Sequence, residues 1–221
     1  MKRISYLLGF MIFFSSFRDN KPLRVVFFGD SITQAGVSPD GYITVMQNML
    51  KEKGKDKNYE LFGAGVGGNK IYDLYLRYEE DVLAKKPDVV VIWVGVNDVW
   101  HKRTYQTGTD ADKFEGFYIK LIKKLQSQNI KVVVCTPAAV GEKIDYSNEL
   151  DGDLNKYSDI IRNIAKNNNA QVVDFRKAFH DYLLKNNPEN KEKGILTGDG
   201  VHLTPAGNKF VAEMLYKILV M

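Results

Sequence analysis

The sequence predicts an α/β domain in which a parallel sheet is covered by helices on both faces. Three observations lead there. Short runs rich in β-branched and aromatic residues alternate with longer stretches of helical periodicity along the chain. The runs "PDVVVIWVG" and "IKVVVCTP" are continuously apolar at their centres, as strands buried on both faces are. A length of 221 residues with 44% hydrophobic content supplies one domain with a substantial core and would be cramped as two.

The elements follow in order. "LRVVFFG" reads as the first strand, and "YITVMQNMLKEKG" as a helix closed by Gly54. "YELFGAG" is a second, short strand, and "IYDLYLRYEEDVLAKK" has helical spacing. "PDVVVIWVG" is the third strand. In "ADKFEGFYIKLIKKLQSQN", residues Phe114, Tyr118, Leu121, Ile122 and Leu125 form one apolar stripe. "IKVVVCTP" is the fourth strand, "LNKYSDIIRNIAKNNN" a helix, "AQVVDF" the fifth strand and "AFHDYLLKNN" a short helix. A final helix begins at "TPAGNKFVAEMLYKIL". With no internal repeat and no linker rich in Pro, Gly or Ser, residues 22–221 read as one three-layer domain with right-handed crossovers.

Residues 1–21 differ in character. Lys2 and Arg3 precede the apolar run "ISYLLGFMIFFSSF", the pattern of an export signal. The run is shorter than the about 20 residues a comfortable transmembrane helix needs. Phe14 and Phe17 crowd the cleavage position, so an uncleaved anchor and a buried N-terminal helix are the alternatives. The expectation is an exported protein, periplasmic or secreted, that meets a membrane only through this segment. No cysteine follows the run, which excludes a lipid anchor there.

Composition narrows the function classes. The net charge of +4 is spread out, and the basic cluster Lys51–Lys57 is broken by Glu52 and Asp56, so no nucleic-acid partner is expected. A charged fraction of 26% is that of an ordered protein. Cys135 is the single cysteine, which rules out an internal disulfide; it reads as a buried thiol at a strand end.

In a parallel sheet, ligands bind outside the carboxyl ends of the strands. The segments there are "GDS", "GAGVGGN", "GVND" and "TPAAVG", with "GDGVH" nearer the C-terminus. Ser31, taken alone, is better explained as a helix cap than as a nucleophile, and the Gly-x-Ser-x-Gly elbow is absent. Asp199 and His202 stand three residues apart, a spacing that puts both on one side of a helical turn and lets the carboxylate hold the imidazole. Of the chain's 3 histidines, His101, His180 and His202, only His202 has an acid at that spacing before a helix start. Asn97 can turn an amide N–H toward the strand ends, and Gly67 and Gly68 allow close backbone approach. A nucleophile, a base with its orienting acid and oxyanion donors at one sheet edge are the parts needed for acyl transfer.

These segments resemble the SGNH/GDSL family of serine esterases and lipases: "GDSIT", "GVGGN", "GVND" and "DGVHLT" match its blocks in order, across residues 29–204. The resemblance implies a flavodoxin-like fold with strand order 2-1-3-4-5. It implies Ser31 as nucleophile, His202 as base, Asp199 as its partner, and the Ser31 N–H, Gly68 and Asn97 as oxyanion donors. Gly63-Ala64-Gly65 stands where many members carry Asn before the glycines, which leaves open how the Gly68 loop is braced. The expected activity is a serine esterase without metal or cofactor.

Substrate is read from the surroundings. "VWHKRTYQTGTD", Val99 to Asp110, reads as a long polar loop in which Trp100 and Tyr105 stack on a sugar while His101, Lys102 and Arg103 meet an acidic group; a plain solvated loop is the equal alternative. Asp30, Trp100 and His101 are the candidate substrate-binding residues, although Asp30 and Asp98 are expected to serve turn and loop hydrogen bonds rather than chemistry. The lack of an apolar lid points to removal of a short acyl group such as acetyl from a glycan, with lysophospholipase or acyl-thioesterase activity as the alternative. A metal-dependent phosphoesterase built on Asp30, Asp98, Asp199 and His202 needs more histidines than the chain supplies and predicts sensitivity to chelator. A non-catalytic nucleotide, flavin or carbohydrate binder lacks a phosphate cradle.

Overall fold

The computed structural model describes residues 21–220. The apolar segment read as an export signal therefore lies outside the described residues. Five strands form one parallel sheet: β1 (Leu23–Gly29), β2 (Tyr59–Gly65), β3 (Val89–Trp93), β4 (Lys131–Cys135) and β5 (Gln171–Val173). Their order is β2-β1-β3-β4-β5, as the resemblance implies. Gly29 lies in register with Gly65 on one side and Trp93 on the other, so the first three strands end level.

Among the described residues, eight α-helices join and cover the strands: α1 (Ser31–Ala35), α2 (Tyr42–Glu52), α3 (Ile71–Asp81), α4 (Val96–Thr104), α5 (Ala111–Gln126), α6 (Asp151–Asn167), α7 (Phe175–Asn186) and α8 (Pro205–Leu219). The period of two along a strand divides the core. Val26, Phe28, Val90, Ile92 and Val134 pack with side chains of α3, α5 and α6 on one face. Val25, Phe27, Val91, Trp93 and Cys135 pack with α2, α7 and α8 on the other. The predicted α5 stripe from Phe114 to Leu125 is fully buried. Among the described residues, no helix is long and apolar enough to cross a membrane.

One segment departs from the sequence reading. The polar stretch after Asn97 is not a long loop: residues 96–104 form α4, and only 105–110 are irregular. The helix is amphipathic for barely a turn, with Val96 to Val99 buried, Trp100 half-buried and the rest polar, so periodicity does not announce it. It starts because Gly95 takes φ +133°, which turns the chain sharply off β3. Lys102 and Arg103 then occupy its last turn, where cations suit the helix dipole.

Candidate active site

Ser31 sits two residues beyond the end of β1. It is the first residue of α1, and the cap is Asp30, whose Oδ1 accepts the Ile32 N–H at 3.0 Å. Ser31 is thus free of capping duty, and its Oγ stands 2.9 Å from Nε2 of His202. On the other side of the ring, Nδ1 lies 2.7 Å from Asp199 Oδ2. The second oxygen of Asp199 accepts the backbone N–H groups of His202 at 2.7 Å and Val201 at 2.9 Å. The Asp199–His202 pair does not lie on a helical turn, as its spacing suggests. It lies on a loop closed by the antiparallel bridge between Thr197 and Leu203, and the carboxylate itself folds that loop.

Burial works to raise the Asp199 carboxyl, but hydrogen bonds from the His202 ring and the two amides outweigh it and hold the group at about 2. Asp199 is therefore an anion wherever the ring has to accept a proton.

The same loop is anchored by a residue the sequence reading passes over. Glu142, on the segment after β4, is fully buried. Its carboxylate accepts the N–H of Ile195 at 2.8 Å, of Leu196 at 2.7 Å and of Thr197 at 2.5 Å, together with the Thr197 hydroxyl at 2.8 Å. A second tie joins the Gly141 N–H to the Gly200 carbonyl at 2.9 Å. Only a pattern of partners more than fifty positions away identifies Glu142, and the local sequence holds no such signal.

Gly68 and Asn97 come to the same edge. Gly68 takes φ +75°, and its carbonyl accepts Lys70 Nζ at 3.0 Å. Asn97 is buried near the start of α4, and its side-chain nitrogen donates to the Asn69 carbonyl at 3.2 Å, leaving its second N–H uncommitted in that bond. These contacts tie the loop that carries Gly68 to the helix that carries Asn97.

The candidate substrate residues divide. His101 faces the Gly68 loop: a Cβ built on Gly68 would lie 3.7 Å from its Cε1. Burial, and then the Lys70 charge, hold its imidazole below the usual histidine range, so it is neutral at pH 7. Tyr105 packs edge-on against it, with ring centroids 4.9 Å apart, and is 65% exposed. Trp100 is not a free stacking platform; it is half-buried and wedged against both halves of the core. Asp30 is not a substrate contact, because its side chain is buried and committed to Ile32. Burial pushes its carboxyl up to about 7. Lys102 and Arg103 pair with Asp110 and Glu149 instead of standing open for an acidic ligand. Asp98 is buried within α4 and accepts the Ile71 N–H at 3.2 Å. Among the described residues, no three His, Cys, Asp or Glu side chains converge as metal ligands. His180 lies apart, stacked on Tyr146 with centroids 5.0 Å apart. A cavity of about 660 Å³ opens near the amino ends of the strands, lined by Leu23, Val89, Lys131 and Gln171, far along the sheet from Ser31.

The arrangement can deprotonate a serine through an imidazole held by an anion. Comparison with known proteins points the same way. The sequence model of the GDSL-like Lipase/Acylhydrolase family matches residues 27–210. The crystal structure of an acetyl xylan esterase, AlAXEase, superposes with a TM-score of 0.89 at 65% identity, covering 90% of this chain and all of that one. The acetylxylan esterase of Geobacillus stearothermophilus is 28% identical over 206 residues, 86% of this chain and 90% of that protein. The uncharacterized lipoprotein YqeF of Bacillus subtilis (strain 168) is 30% identical over 213 residues, 86% of each.

Proposed function

The chain belongs to the GDSL-like lipase/acylhydrolase family and hydrolyses esters through a serine; we propose that it removes acetyl groups from carbohydrate hydroxyls, with Ser31, His202 and Asp199 as its catalytic residues. The observation that carries the assignment of roles is the continuous hydrogen-bonded chain from Ser31 Oγ through the His202 ring to Asp199, with links of 2.9 and 2.7 Å. The substrate class rests on likeness to an acetyl xylan esterase at 65% identity.

In this mechanism His202 Nε2 takes the Ser31 proton as Oγ attacks the acetyl carbonyl. The oxyanion is received by the N–H groups of Ser31 and Gly68 and the free amide N–H of Asn97. His202 then protonates the departing sugar oxygen. Water, deprotonated by the same ring, releases acetate and restores Ser31. Asp199 holds the ring in the tautomer that leaves Nε2 able to accept, and it stabilises the imidazolium. In this reading the neutral imidazole of His101 and the exposed face of Tyr105 meet the sugar beside the Gly68 loop.

We also propose that the protein acts outside the cytoplasm, on the pattern of Lys2, Arg3 and the apolar run after them. Likeness to a protein named a lipoprotein is compatible with this.

The test is acetate release from acetylated xylo-oligosaccharides, run beside aryl esters of increasing acyl length. The expected result is a rate that falls steadily beyond acetyl and is lost in a folded Ser31→Ala variant. Preference for long acyl chains, lysophospholipids or thioesters overturns the substrate class. Hydrolysis that survives Ser31→Ala overturns the nucleophile.

A further inference from the structure

Arg77 takes no part in the ester chemistry, yet its side chain is only 17% exposed and all three guanidinium nitrogens are engaged. Nη2 donates to the Gly29 carbonyl at 2.8 Å and to the Ala64 carbonyl at 3.1 Å. Nε donates to Asn69 Oδ1 at 2.7 Å. Nη1 pairs with Asp81 one turn along α3 at 2.5 Å, and the cation lies over the Phe28 ring, 4.6 Å from its centroid.

The acceptors matter for their places in the chain. Gly29 ends β1 and stands two residues before Ser31. Asn69 comes directly after Gly68, and the Asn69 carbonyl is the acceptor for Asn97. Gly29 O also accepts the Val66 N–H at 3.2 Å, at the start of the Gly68 loop. One planar cation therefore touches the segment of each proposed oxyanion donor: the Ser31 turn directly, the Gly68 loop directly, and Asn97 through Asn69. Lysine cannot replace it, since a single ammonium on a flexible stem lacks the rigid fork that reaches acceptors in two directions.

We propose that Arg77 is the positioning residue of the oxyanion hole: through Gly29 and Asn69 it sets the spacing between the Ser31, Gly68 and Asn97 donors. The proposal rests on the reading of Ser31 as nucleophile. It answers how the Gly68 loop is braced in a chain with Gly63-Ala64-Gly65 where many family members have an asparagine.

The experiment compares wild type, Arg77→Lys, Asn69→Ala and the double variant. It measures kcat and KM on an aryl acetate, the rate of Ser31 labelling by a fluorophosphonate, and Tm. The expected result for Arg77→Lys is a fall in kcat of about 10- to 100-fold with KM within about two-fold, and a matching fall in labelling rate, because a misplaced oxyanion hole acts on the transition state alone. Asn69→Ala should lose kcat in the same way, and the double variant should lose little more than Arg77→Lys. A folded Arg77→Lys with wild-type kcat overturns the proposal. So does a loss that only tracks the fraction unfolded, or two losses that multiply. Should Arg77→Lys fail to fold, Asn69→Ala decides alone: a drop in kcat at unchanged KM and Tm supports the proposal, and wild-type kcat overturns it. Absence of labelling in folded wild type would instead remove the nucleophile reading beneath it.

Discussion

Nδ1 of His202 lies 2.7 Å from Oδ2 of Asp199, while Oδ1 of the same carboxylate holds the backbone of the loop on which both residues sit. One side chain thus orients the ring and shapes its support. The pair is nonetheless partly open to water, with side chains 41% and 54% exposed, so some of the orientation survives without Asp199.

The kinetic consequence is a graded series. His202→Ala is expected to lower kcat by about 10⁶ and Asp199→Ala by about 10⁴ on the same substrate. Steady-state rates on an aryl acetate measure both, and equal losses would show that Asp199 has no separable role. Because the Asp199 carboxyl is held at about 2, its contribution to stability is complete above the ordinary carboxylate range and disappears as pH falls toward 2.

Glu142 predicts a stability effect away from the reacting atoms. Glutamine there turns an NH₂ group toward backbone donors that need an acceptor. Loss of hydrogen bonds to a charged group, at about 3 kcal/mol, translates into a Tm lower by roughly 6–12 °C for a domain of this size. Calorimetry of Glu142→Gln gives the number directly, and kcat should fall with it because the 195–202 loop carries Asp199 and His202. A Tm within a degree of wild type would mean that the loop holds itself.

Asp98 gives the pH dependence. Burial pushes its carboxyl up to about 7, against the pull of its hydrogen bonds. Between about pH 4 and 7 the folded state therefore holds a proton that the unfolded state has released, and stability falls as pH rises through that window. Asp98→Asn cannot ionise, so its Tm relative to wild type should climb from pH 4 to 7 and level off above. Thermal melts across that range test it; a difference that stays flat would place the Asp98 titration elsewhere. Asp30 obeys the same rule and remains in the variant as an internal reference.

The sheet was legible because its strands are short apolar runs bounded by Gly, Pro and Asp; "YELFGAG" coincides with β2 residue for residue. The meeting of Ser31, Gly68, Asn97, Asp199 and His202 at one edge was legible because parallel strands send all their carboxyl ends the same way. What escaped were residues whose partners are remote or whose own pattern is weak. α4 reads as polar loop because its burial is confined to one turn around Asn97 and Asp98. Arg77 looks like the solvent face of an amphipathic helix until Gly29, 48 positions earlier, is brought beside it. Asp30 and Ser31 compete locally for the same capping duty, and only the φ and ψ of the turn assign it to Asp30.

The hydrogen bond between Ser31 and His202 joins residues 171 positions apart. During synthesis Ser31 emerges 171 residues before His202, an interval on the order of ten seconds at common elongation rates. Until the segment bearing His202 docks, the nascent chain carries an ordinary alcohol at residue 31. On the proposed mechanism, interrupted or clipped products that stop short of residue 202 are inert toward the esters around them, and the serine becomes reactive only once the segment bearing His202 has folded onto it.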